Sequence, residues 1–169
     1  MPKTNLRLLI FGIFTSFLFI FGWNQVWAHE HHPPHRGALV ELGKEFAHVE
    51  LLLNPATGVL TAFILDGEAE NPVDVSQSFI LIKTKTKAAS FTVRLKPVAS
   101  PLTGETVGNT SQYQGSSAKL KGVVKFEGNI VRIKAKGMDF KDVWFLYPEG
   151  NEGVKRTISK GEPHVHSKE

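Results

Sequence analysis

Beyond residue 37 the hydrophobic and polar positions alternate with a period near two, and turn-forming residues interrupt the pattern every several positions. That is the signature of short strands with one buried face each. The pattern predicts strands over 38–42, 46–53, 59–65, 78–84, 90–98, 120–126, 129–135 and 142–147. Between them, Asn54-Pro55-Ala56-Thr57-Gly58 reads as a hairpin loop and Asp66-Gly67-Glu68 as the start of a turn. Glu127-Gly128-Asn129 reads as a tight reversal, and Lys136-Gly137-Met138-Asp139 as the last link. Consecutive hairpins imply antiparallel pairing. The expected fold is all-β, a single antiparallel β-sandwich of immunoglobulin-like type over residues 37–149, with a barrel as the second choice.

The stretch 99–117, rich in Gly, Ser, Thr, Pro and Asn, is predicted to be one long surface loop, pinned by Leu102 and Tyr113 and holding a single acid, Glu105. Residues 150–169 turn polar and read as a flexible tail.

The first 28 residues follow a different pattern. Lys3 and Arg7 precede an apolar run from Leu8 to Phe21, then a polar break at Asn24 and Gln25, with Val26 and Ala28 as the small residues of a cleavage site. These are the zones of a signal-peptide helix. The apolar run is shorter than the roughly 20 residues that span a bilayer comfortably, so export to the periplasm or cell envelope with cleavage after Ala28 is the expectation. Membrane contact arises only through this segment if it stays uncleaved.

Cleavage changes the charge picture. The whole chain has a formal net charge of +4, but residues 1–28 carry two bases and no acid, so the mature 141 residues hold 18 Lys plus Arg against 16 Asp plus Glu. Lysines such as Lys83, Lys85 and Lys87 are spread along the strands. Nucleic-acid binding, which needs a clustered basic face, is not expected. A chain of this length buries roughly two-thirds of its unfolded surface, enough for one core. Cysteine is absent, so any metal must be held by nitrogen and oxygen.

Seven histidines are unevenly placed. His29, His31, His32 and His35 make a His-rich segment over 29–36, His164 and His166 lie in the tail, and His48 alone falls inside the fold. With a free amine at His29, the sequence His29-Glu30-His31 can wrap a metal through the amine, two backbone amides and the His31 imidazole. That tetragonal nitrogen set suits Cu(II) and Ni(II). A second geometry uses the amine and ring of His29 as a brace completed by His32 or His35. Imidazoles alone also bind Zn(II) or Co(II), more weakly. His164 and His166, at i and i+2, offer two further ligands if the chain ends meet. His48 and Glu50 share one face of the second strand, about 6–7 Å apart. They are read as a solvent-facing pair available as auxiliary ligands.

The run His35-Arg36-Gly37-Ala38-Leu39-Val40-Glu41-Leu42-Gly43, continuing through Phe46-Ala47-His48-Val49-Glu50-Leu51 to Thr57–Asp66, resembles small exported proteins associated with bacterial heavy-metal (RND-type cation) efflux. It is also similar to the histidine-containing N-terminal extensions of efflux adaptor (membrane-fusion) proteins. Their pattern has a His-Gly-Gly element, a strand with His-x-Glu-Leu and a strand ending in Leu-Asp; here Arg36 stands at the second position of the His-Gly-Gly element. The resemblance covers about residues 35–95 and, more loosely, 117–145. It implies metal handling at His35, Gly37, His48 and Glu50, and a cation-efflux adaptor as partner.

No Gly-x-Ser-x-Gly element, phosphate loop or His-Glu-x-x-His helix is present, so an enzyme is not expected. Two readings follow: a divalent-metal-binding accessory, copper preferred, or a protein-interaction module whose histidines are incidental or respond to pH near their unperturbed pKa of about 6.5.

Overall fold

The computed structural model describes residues 32–100 and 104–152. Eight antiparallel strands form: β1 (Ala38–Leu42), β2 (Ala47–Asn54), β3 (Val59–Leu65), β4 (Ile80–Lys85), β5 (Ser90–Pro97), β6 (Gln112–Ser116), β7 (Phe126–Ala135) and β8 (Met138–Tyr147). A 3-10 turn, Ala118–Leu120, interrupts them. Among the described residues no helix is long and apolar enough to cross a membrane.

The alternation read from the sequence is the alternation of the core. Ala38, Val40 and Leu42 of β1, Ala47, Val49 and Leu51 of β2, and Leu60, Ala62 and Ile64 of β3 all point inward. They meet Ile80 and Ile82 of β4, Val93 and Leu95 of β5, Ile130 and Ile133 of β7 and Phe145 of β8 in one cluster.

The strands are not divided between two packed sheets. They make one sheet in the order β1-β2-β3-β6-β5-β4-β7-β8, curled into a nearly barrel-shaped form, so the expected sandwich gives way to something closer to the second-choice barrel. The physical reason is β6. Gln112–Ser116 pairs with β3 along its length and with β5 through Lys96↔Gln114 and Pro97↔Tyr113, joining what would otherwise be two sheets.

β6 lies inside the stretch expected to be loop. Its one large apolar residue, Tyr113, is fully buried, and its hydroxyl donates to the carbonyls of Gln77 (2.6 Å) and Val75 (3.2 Å). Neighbouring strands, rather than its own pattern, make this segment a strand. Leu102 lies outside the described residues. Conversely, the strand expected over 120–126 is a 3-10 turn followed by irregular chain: Gly122 has φ +72, and Val124 is 68% exposed. Gly128, read as the centre of a reversal, sits within β7 opposite Phe145. A Cβ there would collide with the Phe145 ring, so glycine in this strand makes room for a cross-strand aromatic.

The curl brings β1 and β8, the two ends of the sheet order, beside each other. At the end of β8, Leu146 exchanges backbone hydrogen bonds with Gly150, which turns the chain toward β1. There the Asn151 side chain behaves as a substitute strand. Glu41 N–H donates to Asn151 Oδ1 (2.7 Å), Asn151 Nδ2 donates to the Glu41 carbonyl (3.2 Å), and Asn151 N–H reaches the Leu39 carbonyl (3.3 Å). Asn151 therefore belongs to the domain, although residues from 150 onward were expected to be tail. Gln77 does the same for β7: its Nε2 donates to the Arg132 carbonyl (3.1 Å) and its Oε1 accepts from Lys134 N–H (3.1 Å). Each side-chain amide thus offers the strand an N–H and a C=O, as a peptide group would, and the second N–H of Gln77 Nε2 goes to the Phe79 carbonyl (2.7 Å).

Because it satisfies two backbone groups of β1 at once, Asn151→Ala is expected to cost about 1–3 kcal/mol. Urea unfolding measures this, and an unchanged midpoint would contradict the role given to the seam.

Candidate functional site

The face of β2 turned away from the core carries His48, Glu50 and Leu52. This face is covered. His48 and Glu50 are both 0% exposed, which corrects the expectation of a solvent-facing pair. The strand register explains why: Glu50 lies between Leu39 and Phe63, and His48 between Glu41 and Leu65. Leu39, Leu65 and Ala69 form a small second cluster on this side. Two segments close over it, and each is tied down by one of the two polar residues.

The first segment is the chain entering β1. Arg36 N–H donates to the Pro33 carbonyl (3.0 Å), closing a turn across Pro33-Pro34-His35-Arg36; proline favours such a turn by fixing its own φ. The Glu50 carboxylate receives the turn. Oε1 accepts from the backbone N–H of His35 (2.9 Å) and of Gly37 (2.8 Å), and Oε2 accepts from His35 Nδ1 (2.8 Å). The imidazole lies flat on the Phe63 ring, with centroids 4.0 Å apart and planes 12° apart. Its side chain remains 45% exposed, while that of Glu50 is fully buried.

Gly37 has to be glycine here. A Cβ would meet the Leu51 carbonyl oxygen at 2.6 Å, the Leu52 side chain at 2.7 Å and the Glu50 side chain at 2.8 Å. Arg36 sits at φ +62, the left-handed region that glycine enters freely and other residues enter at a cost.

The second segment is the turn over 66–71. His48 Nδ1 lies 3.0 Å from the Asp66 carbonyl, and because a carbonyl only accepts, the proton is on Nδ1. The Asp66 carboxylate accepts from the backbone N–H groups of Glu70 (3.0 Å) and Asn71 (3.2 Å) and from Asn71 Nδ2 (2.7 Å). Burial pushes the Asp66 carboxyl up, but those donors and the Lys136 charge together hold it below its ordinary value.

Of the sequence-predicted ligands, the fold fixes His35, Glu50 and His48 on this one face and leaves His32 exposed just before the turn. Glu50 acts on His35, and His48 on Asp66, so the two do not converge as a pair of ligands. His29, His31, His164 and His166 lie outside the described residues, as do the signal segment 1–28 and residues 153–169. Among the described residues no group of three or more His, Asp or Glu side chains is gathered to hold a metal. Phe63 and Asp66 are the members of the site that the sequence reading missed.

A groove of about 780 Å3 lies elsewhere, lined by Gln77, Phe79, Arg132, Lys134 and Lys136 among others. It contains none of the candidate ligands. At its rim Asp74 accepts from Asn109 Nδ2 (2.7 Å). Its carboxyl is raised above 3.8 by desolvation and by the neighbouring Glu105. Glu105 in turn accepts from Ser111 N–H (3.0 Å) and Oγ (2.5 Å).

No protein-family model, no curated protein and no solved structure matches the chain.

Two expectations follow from this geometry. Arg36→Gly relieves about 1–2 kcal/mol of backbone strain but gives part of that back through the freer unfolded chain, so a net gain of roughly 0.5–1 kcal/mol is expected in denaturant unfolding; a loss would contradict the strained turn. For Asp74, a folded pKa above the unfolded one contributes stability that is present in acid and is lost as pH rises through the folded value. Glu105→Gln removes the neighbouring charge while keeping an acceptor for Ser111. The variant should melt higher than wild type at neutral pH, with the difference vanishing below about pH 3.8. A difference that persists in acid would contradict the charge origin.

Proposed function

We propose that the protein is a divalent-metal-binding accessory of the cell envelope, in which His29, His31, His32 and His35 capture Cu(II), or Ni(II), Zn(II) or Co(II), for a cation-efflux adaptor partner. One observation carries the reading. At the root of the His-rich segment, His35 is held by a fully buried carboxylate and an aromatic ring while its imidazole stays exposed. A histidine that only solubilised a terminus would not need a desolvated carboxylate to orient it, whereas a carboxylate behind an imidazole is the usual outer-shell arrangement of a histidine ligand. The segment supplies the other imidazoles, and their nitrogen-rich set favours borderline transition ions over Mg(II) or Ca(II), which prefer oxygen.

The β-barrel-like body serves as the platform. It fixes His35, the last histidine of that segment, where the chain enters β1. Export, implied by the first 28 residues, puts the ligand cluster on the side of the membrane where an adaptor would meet it. His164 and His166 supply further imidazoles if they reach the same ion, and Glu50 acts through His35 rather than by contact with the metal.

The test is Cu(II) titration of the purified protein, with its N-terminus defined by intact mass. Replacing His29, His31, His32 and His35 together by alanine should abolish stoichiometric binding and leave the far-ultraviolet circular dichroism of the β fold unchanged. Undiminished binding by that variant would remove this function.

A further inference from the structure

A buried carboxylate that takes the Nδ1 proton of His35 does more than hold the ring. Which imidazole nitrogen carries the proton is set by the hydrogen bond the other one makes. Oε1 of Glu50 already accepts two backbone N–H groups, and Oε2 faces Nδ1 at 2.8 Å. A carboxylate only accepts, so in the neutral ring the proton belongs to Nδ1 and the lone pair to Nε2. Phe63, stacked at 4.0 Å, prevents the ring from tilting away from this bond. The metal-binding atom is thereby chosen before any metal arrives.

We propose that Glu50 is the positioning residue of a divalent-metal site at His35 Nε2, presetting the tautomer so that a borderline transition ion binds with no proton to displace and reports its binding to the barrel. This rests on the metal-binding reading above. The linkage runs in both directions. A cation on Nε2 makes the Nδ1 proton more acidic and strengthens its bond to Glu50, and that carboxylate also anchors the backbone of His35 and Gly37. Metal occupancy therefore stabilises the entry of the chain into β1, and unfolding of that entry weakens the metal. A planar site built from the amine of His29, two amides and His31 uses neither His35 nor Glu50, so it carries no such dependence.

Glu50→Gln separates the two. The glutamine oxygen keeps the backbone N–H groups of His35 and Gly37, leaving its amide NH2 toward Nδ1. An amide donor there requires Nδ1 to accept, which moves the imidazole proton to Nε2 and closes the metal-binding atom. Zn(II), being diamagnetic, is the probe.

In the wild-type protein without metal, imidazole 15N shifts should place the His35 proton on Nδ1. In Glu50→Gln they should place it on Nε2, with Zn(II) affinity down by about 10- to 100-fold and the Zn(II)-induced rise in melting temperature lost. Zn(II) bound equally by wild type, Glu50→Gln and His35→Gln would overturn the inference while leaving metal binding by the other histidines intact. No Zn(II) or Cu(II) binding by the wild type would sink both readings. Should Glu50→Gln fail to fold, the wild-type shifts decide alone: a proton on His35 Nε2 overturns the assignment.

Discussion

The arrangement around β2 depends on a carboxylate that is fully buried. Burying an ionised carboxyl costs several kcal/mol, and Glu50 offsets this with three N–H donors at 2.8–2.9 Å. Hydrogen bonds to a charged group contribute about 1.5–3 kcal/mol each, so penalty and gain are of the same order. Glu50 is therefore a weak source of net stability and a strong source of geometry. It dictates where the chain enters β1, which way the His35 ring faces and why residue 37 has no side chain. Removing the Glu50 side chain would leave the backbone N–H groups of His35 and Gly37 without their acceptor at once.

The same logic runs through the rest of the fold. A sheet curled this far has buried side chains on part of both faces, and β2 shows it most plainly: Ala47, Val49 and Leu51 face the main core, while His48 and Glu50 face a second, smaller one. Where backbone groups lack a neighbouring strand, side-chain amides supply the missing pair: Asn151 for β1 at the end of the sheet order, and Gln77 for β7 beyond its pairing with β4. The site and the seam are adjacent, since Asn151 grips Leu39 and Glu41 on the strand that Gly37 introduces. Order at the chain entry and order at the seam support each other.

Strands with strong alternation of their own were legible from the sequence: β1 and β3 fall on the expected residues, and β2 and β5 within a residue or so at each end. What was missed shares one cause, dependence on a distant partner. Gln112–Ser116 has little apolar pattern and becomes a strand because β3 and β5 flank it. Glycine at 128 looked like a turn and is instead the space for Phe145. Asn151 looked like tail because its work is done by two polar atoms across 110 residues of chain. At the site, His35, His48 and Glu50 were singled out, but the burial of His48 and Glu50 was not foreseen. A clue was present, since Leu39, Leu52, Phe63 and Leu65 occupy the supposedly outward parity, and apolar residues on both faces mean that both faces are covered.

The proposed function depends on how the chain is held where it enters β1, and Glu50 is the group that holds it. Native-state hydrogen exchange of the backbone amides tests that anchorage most directly. The account predicts that the His35 and Gly37 amides, although they precede the first strand, are protected to the same order as amides within β2, while His32 exchanges at the rate of an open chain. Exchange of His35 and Gly37 as fast as His32 would show that Glu50 does not hold the chain entry, and the oriented imidazole on which the functional reading rests would go with it.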